Sequence, residues 1–153
     1  MSVASDHYPG IAIGVYAPNT MVTGNSMSGA GPQAAGTGIF VGAGPGTFLL
    51  KDNVVTNNAY GMFTQSPSAG LQIVSNTLSG NGVGIYFFAN GSGATNVLIS
   101  QNTVSNGTPG IQDQGINDTI SYNVVCVAAG GTPIDTSHAT NPTLLGNVTS
   151  TRC

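Results

Sequence analysis

The sequence predicts an all-β solenoid, a parallel β-helix of about six coils running from about residue 10 to residue 150. Three observations predict it. First, an Asn recurs at Asn25, Asn53, Asn76, Asn102, Asn123 and Asn147, in steps of 28, 23, 26, 21 and 24 residues. A period in that range marks a chain built of stacked repeats. Second, apolar columns keep register with it. Val22, Leu50, Ile73, Ile99, Ile120 and Leu144 stand three residues before the Asn, and Met27, Val55, Leu78, Val104, Val125 and Thr149 stand two after it. Third, the apolar pieces are three to five residues long and separated by Gly, Asn and Ser, which suits short strands and not helices.

Each repeat contributes three strands and polar corners. One coil cannot bury its apolar side alone, so coils stack. At the strand spacing of about 4.8 Å, six coils make a rod of roughly 29 Å. The aliphatic columns point inward, since side chains alternate along a strand. The Asn column falls at a corner, where amides can bond to one another coil after coil, each bond contributing about 1 kcal/mol. Asn also tolerates the left-handed conformation that a sharp corner needs.

Along the chain, residues 1–9 are too short for a capping helix. Coil one holds IAIGVY and TMV, and a Gly/Ala/Pro-rich loop at 28–37 leads into coil two. Coil two holds GIFV, TFLL and VVT; coil three, GMFT, LQIV and TLS; coil four, IYFF, VLI and TVS. Coil five (GIQDQG, TIS, VVCV) is more polar. Coil six, from Ile134, is degenerate, with Thr149 in an aliphatic column. A Gly precedes the first strand of five units, at Gly10, Gly38, Gly61, Gly84 and Gly110, and Pro133 takes that place in the sixth.

Composition narrows the function. Charged residues are 5%, and Lys51 and Arg152 are the only basic ones. Binding to nucleic acid by phosphate neutralisation has almost nothing to work with, and neither does binding to anionic membranes. No run of 18 apolar residues exists, so no membrane insertion is expected. The start, MSVASDHYPG, has no basic region and no apolar core, unlike a signal peptide. Either a leader has been removed or the chain is a piece of something larger. Low charge and abundant Asn, Thr and Ser point to an extracellular or cell-surface setting. Cys126 and Cys153 fall on adjacent coils, close enough for one disulfide; two unpaired thiols are the alternative. The sequons at Asn90, Asn106, Asn117 and Asn147 are what chance produces in so Asn-rich a chain.

The pattern of coil four, Gly84-Ile85, Val97-x-Ile99, Asn102, Val104 and Gly107, resembles the right-handed parallel β-helix repeats of the pectin-lyase-like superfamily. The resemblance covers about residues 10–150 and implies the right-handed sense. That group includes polysaccharide lyases, polygalacturonases, epimerases, phage tailspikes and surface proteins. It implies a substrate groove along the first strand column. Two residues after the unit's Gly, the outward positions there are Ala12, Phe40, Phe63, Tyr86, Gln112 and Asp135. Four after it they are Gly14, Gly42, Gln65, Phe88, Gln114 and Ser137. Aromatics beside amides suit a carbohydrate face. The same column also reads as simple sheet stabilisation, or as a face packed against a partner.

Catalysis is weakly signalled, and no catalytic residue is assigned. Lyases resembling this fold use Arg or Lys with a Ca²⁺-binding acid cluster, and neither basic residue here lies in the groove column. The polygalacturonase motifs NTD, DD, GHG and RIK are absent, and Asp6-His7 only faintly echoes the epimerase motif. Asp113, Asp118, Asp135 and His138 read as surface groups. With two isolated His, no metal site and no cofactor are expected. The expectation is therefore a non-catalytic structural, fibre or adhesin-type subunit that self-associates end to end or along its aromatic column. A carbohydrate-binding module, or a fragment of a lyase- or epimerase-like enzyme, is the alternative.

Overall fold

The computed structural model describes residues 2–4, 11–33, 35–42, 46–65, 70–89, 95–105 and 107–153, the first three by backbone alone. Gly10, Asp6, His7 and the sequons at Asn90 and Asn106 lie outside the described residues. Among the described residues every regular element is a strand. The strands form three parallel sheets. The first stacks β2 (Ile11–Val15), β5 (Thr37–Val41), β8 (Tyr60–Gln65), β11 (Val83–Phe88), β14 (Ile111–Asp113) and β17 (Ile134–Asp135). The second stacks β3 (Thr20–Thr23), β6 (Phe48–Lys51), β9 (Leu71–Val74), β12 (Leu98–Ser100), β15 (Thr119–Ser121) and β18 (Thr143–Leu145). The third stacks β1 (Ser2–Ala4), β4 (Ser26–Ser28), β7 (Val54–Thr56), β10 (Thr77–Ser79), β13 (Thr103–Ser105), β16 (Val124–Cys126) and β19 (Val148–Ser150). Each strand pairs with the equivalent strand one repeat away, so the chain winds through about five turns between its first and last rungs.

The core is the set of columns legible in the repeat. Leu50, Ile73, Ile99 and Ile120 face one another in the second sheet, and Met27, Val55, Leu78, Val104 and Val125 do so in the third. All are buried. In the first sheet Ile39, Met62, Ile85 and Ile111 form the inner column. The Gly before each of them is needed for space. A Cβ on Gly61 would stand 2.6 Å from the Gly84 carbonyl oxygen and 2.7 Å from Leu78 Cδ2. The same crowding meets a Cβ at Gly38, Gly84 and Gly110.

The Asn column is a continuous hydrogen-bond ladder. From Asn25 to Asn123, each Asn donates its backbone N–H and its Nδ2 to Oδ1 of the Asn on the next rung, at 2.9–3.1 Å. From Asn53 onward Nδ2 also donates to the carbonyl of the preceding rung's inward aliphatic, from Val22 to Ile120. The left-handed residue at this corner is not the Asn, as the sequence suggested, but the residue before it. Gly24, Asp52, Ser75, Gln101, Tyr122 and Gly146 have φ between 54° and 65°. The Asn must keep ordinary φ because both its N–H and its side chain point along the stack. A second, shorter ladder joins Asn58 to Asn81, with N–H to Oδ1 at 3.0 Å.

Coil one departs from the expected register. Ile13, not Ile11, faces Ile39, and Gly14 faces Phe40. Anchoring on Gly10 had placed Ala12 opposite Phe40, two residues out of step. The chain also enters the stack earlier than residue 10, since β1 pairs with β4. At the other end the inward column of the second sheet reaches solvent: Leu144, in register with Ile120, is 53% exposed.

Candidate functional site

The outer face of the first sheet gathers the side chains with most capacity for recognition. Phe40, Phe63, Tyr86, Gln112 and Asp135 lie in register on successive rungs. Their ring centroids are 5.6 Å apart for Phe40 and Phe63, and 5.3 Å for Phe63 and Tyr86. Phe88 faces Gln65 along the strand pair and stands 5.8 Å from Tyr86. Two rings missing from the sequence-based set join them. Tyr16 lies 5.7 Å from Phe40, and Tyr60 lies 5.4 Å from Phe63 and 5.8 Å from Tyr86. Tyr16 was hidden by the Gly10 anchor; matching Ile13-Gly14-Val15 to Ile39-Phe40-Val41 would have found it. Tyr60 faces outward because Gly61 and Met62 both turn inward, which breaks simple alternation.

Ring orientation limits what the strip can do. Phe63 and Tyr86 are 15° from coplanar and Tyr60 is 24° from Tyr86, so these rings spend their faces on one another. Phe40 is turned 63° to Phe63, and Tyr16, 64% exposed, is turned 51° to Phe40. A polar continuation follows. Gln114 Nε2 donates to Tyr86 Oη at 3.2 Å, and Gln112 Nε2 donates to Asp135 Oδ2 at 3.5 Å. The Ser137 backbone N–H, and then its hydroxyl, hold the Asp135 carboxyl below the usual carboxylate range; His138 acts the same way more weakly.

The other two acids are not surface groups. Asp113 and Asp118 are each 1% exposed. Asp113 follows Phe87 in an inner column of the first sheet, and its Oδ1 accepts the Gly115 N–H at 3.0 Å. Asp118 Oδ1 accepts the Val97 N–H at 2.7 Å. The two carboxyls meet at Gly115, whose N–H bonds Asp113 and whose Cα packs against Asp118. Burial pushes both upward, Asp118 to about 7. The sequence reading missed this because it weighed these acids by type and not by inward register.

Lys51 pairs with Asp52 at 3.7 Å on the surface, and Arg152 is exposed in the tail. Among the described residues no three His, Cys, Asp or Glu side chains converge to hold a metal ion. No described helix is long and apolar enough to cross a membrane. Cys126 and Cys153 are joined as a disulfide with Cα atoms 5.6 Å apart, tying the tail to the fifth rung. Of the described sequons, Asn147 has its Nδ2 engaged with the Ile120 carbonyl, while Asn117 is exposed.

Among protein families, the model described as a right handed beta helix region matches residues 2–125. No curated protein and no solved structure matches the chain.

Proposed function

Because the chain belongs to the right-handed β-helix family, which settles its fold and leaves its activity open, we propose that it is a non-catalytic structural solenoid. Residues 1–153 self-associate by stacking the rung of β17, β18 and β19 on another copy, in an extracellular or cell-surface setting. The observation that carries this reading is the state of that rung. Strands β18 and β19 are exposed along their whole length, and a recess lined by Pro133, Ile134, Leu144 and Thr149 opens at the end of the core. An open strand edge without Lys or inward charge invites pairing, and the rung's strands carry one charged side chain, Asp135.

Sedimentation at rising concentration tests it. The wild type should form longer particles as concentration increases, and Leu144→Lys with Thr149→Lys should stay monomeric. A wild type that remains monomeric throughout sinks the proposal. A second reading, glycan binding on the first sheet, is favoured by Gln112, Gln114 and Asp135 continuing the aromatic strip. Its signature is retention on polysaccharide resin that Phe63→Ser with Tyr86→Ser abolishes while leaving end-to-end assembly intact.

A further inference from the structure

The interior of a β-helix is where a charge is least tolerated, and this one contains two carboxyl groups side by side. Each has one oxygen satisfied by a backbone N–H, from Gly115 or Val97. Each has an Oδ2 that is buried and finds no donor among the described groups. Two ionised carboxylates cannot donate to one another. A single shared proton supplies the missing donor and joins the two unsatisfied oxygens. Among the described residues no charged group offers compensation. The chain's two cations are both at the surface. The ionisable groups on the elements packed around the pair are Tyr86 on β11, Asp135 on β17 and His138 beyond it. Tyr86 and Asp135 belong to the outer face, and His138 is exposed. Strands β12 and β15 contribute no ionisable group.

The pair also sits where it can control something. The turn from Gly115 to Asp118 carries the sixth rung: the Gly115 carbonyl accepts the Thr140 N–H and the Asp118 carbonyl accepts the Thr143 N–H, both at 2.8 Å. Gly115 packs so closely on Asp118 and the Phe87 ring that a Cβ there would collide with both. The turn is thus held from inside by the two carboxyls.

We propose that Asp113 and Asp118 share one proton and form a pH-sensitive lock, which holds the fifth and sixth rungs together while protonated and loosens them when the proton is lost. The lock stands independently of self-association and operates in a single chain. The sign follows from linkage. The folded pair binds its proton more tightly than an unfolded Asp, whose ordinary value is 3.8. The added stability is full below that value and is lost as pH rises towards about 7. Asp135 has the opposite sign and has given its contribution by the start of that window.

Amide hydrogen exchange, corrected for intrinsic rates, should show the opening equilibrium of residues 111–149 rising by about tenfold per pH unit over the lower part of this window. Between about pH 4.5 and about pH 7.5 the total should reach at least about 30-fold, while residues 71–89 change less. Asp113→Asn with Asp118→Asn should flatten the profile. The wild type should also keep an infrared band of a protonated carboxylic acid at about pH 6, above the range in which free Asp is protonated. That measurement decides the matter even if the double variant fails to fold. Constant protection across the window, an unchanged slope in the folded double variant, or absence of the band would each overturn the lock.

Discussion

Replacing Asn102 by Ala should be among the most damaging polar truncations in this protein, and the ladder shows why. The Asn102 side chain makes four hydrogen bonds. Oδ1 accepts the Asn76 N–H at 2.9 Å and Asn76 Nδ2 at 3.0 Å; Nδ2 donates to the Ile73 carbonyl at 2.8 Å and to Asn123 Oδ1 at 3.0 Å. All of them are buried. Truncation leaves the Asn76 N–H without its acceptor in a site that water does not reach, which costs about 1–3 kcal/mol. Asn76 Nδ2 keeps the carbonyls of Leu50 and Val74, so its loss is only one net bond. With the two Nδ2 bonds of Asn102 itself, each of these three bonds contributing about 0.5–1.5 kcal/mol, the total comes to about 5 kcal/mol. That is a large share of the roughly 5–15 kcal/mol that holds a domain folded. Asn25→Ala is the control. Asn25 is partly exposed and its Nδ2 bonds, at 3.1 Å, can be replaced by water, so the loss should be about 1 kcal/mol or less. Asn102→Asp should be tolerated only at low pH, because an ionised carboxylate would face the Ile73 carbonyl and Asn123 Oδ1. Urea unfolding at equilibrium measures all three. A loss below about 1.5 kcal/mol at Asn102, or equal losses at Asn25 and Asn102, would refute the accounting.

Two further outcomes follow from packing and connectivity. Gly61→Ala should cost about 2–3 kcal/mol, because its Cβ meets the Gly84 carbonyl, whereas Gly24→Ala, with open space around it, should cost about 1 kcal/mol from its positive φ alone; equal thermal shifts would contradict the spatial role of the Gly column. Cys153→Ser frees the 27-residue span closed by the disulfide and should cost roughly 3–4 kcal/mol by loop entropy; an unchanged urea midpoint would show that the bridge constrains nothing.

The repeat made the fold legible because the inward columns must be aliphatic on every rung, and a buried position tolerates little else. The corner Asn was legible for the same reason, since its four bonds demand an amide. What escaped was set by backbone geometry. The left-handed residue of the corner varies from Gly to Tyr122, because only φ is required there and its side chain projects outward. Tyr16 escaped because a shift of two residues in coil one moves the register without disturbing the aliphatic alternation. Asp113 and Asp118 escaped because residue type suggested surface while position dictated interior. The face of the first sheet was legible as a set of residues, and the stacking of its rings on one another was not, because side-chain rotation leaves no mark on spacing.

The Asn ladder also gives the rod a direction. Between ladder members the donation runs one way: each Asn gives its backbone N–H and an Nδ2 hydrogen to Oδ1 of the next rung's Asn, and no Asn in it gives a hydrogen to the Asn of the rung before, so neighbouring rungs are related by translation and never by inversion. The two ends are therefore chemically unlike. The last Asn, Asn147, has its Oδ1 occupied by Asn123 and a backbone N–H facing the next place in the stack, whereas the first, Asn25, receives no ladder donor among the described residues. A further rung extends the ladder only if it arrives facing the same way. Two copies meeting last rung to last rung would set donor against donor. Polarity of this kind, familiar in filaments that grow from one end, is written here into a single column of side chains.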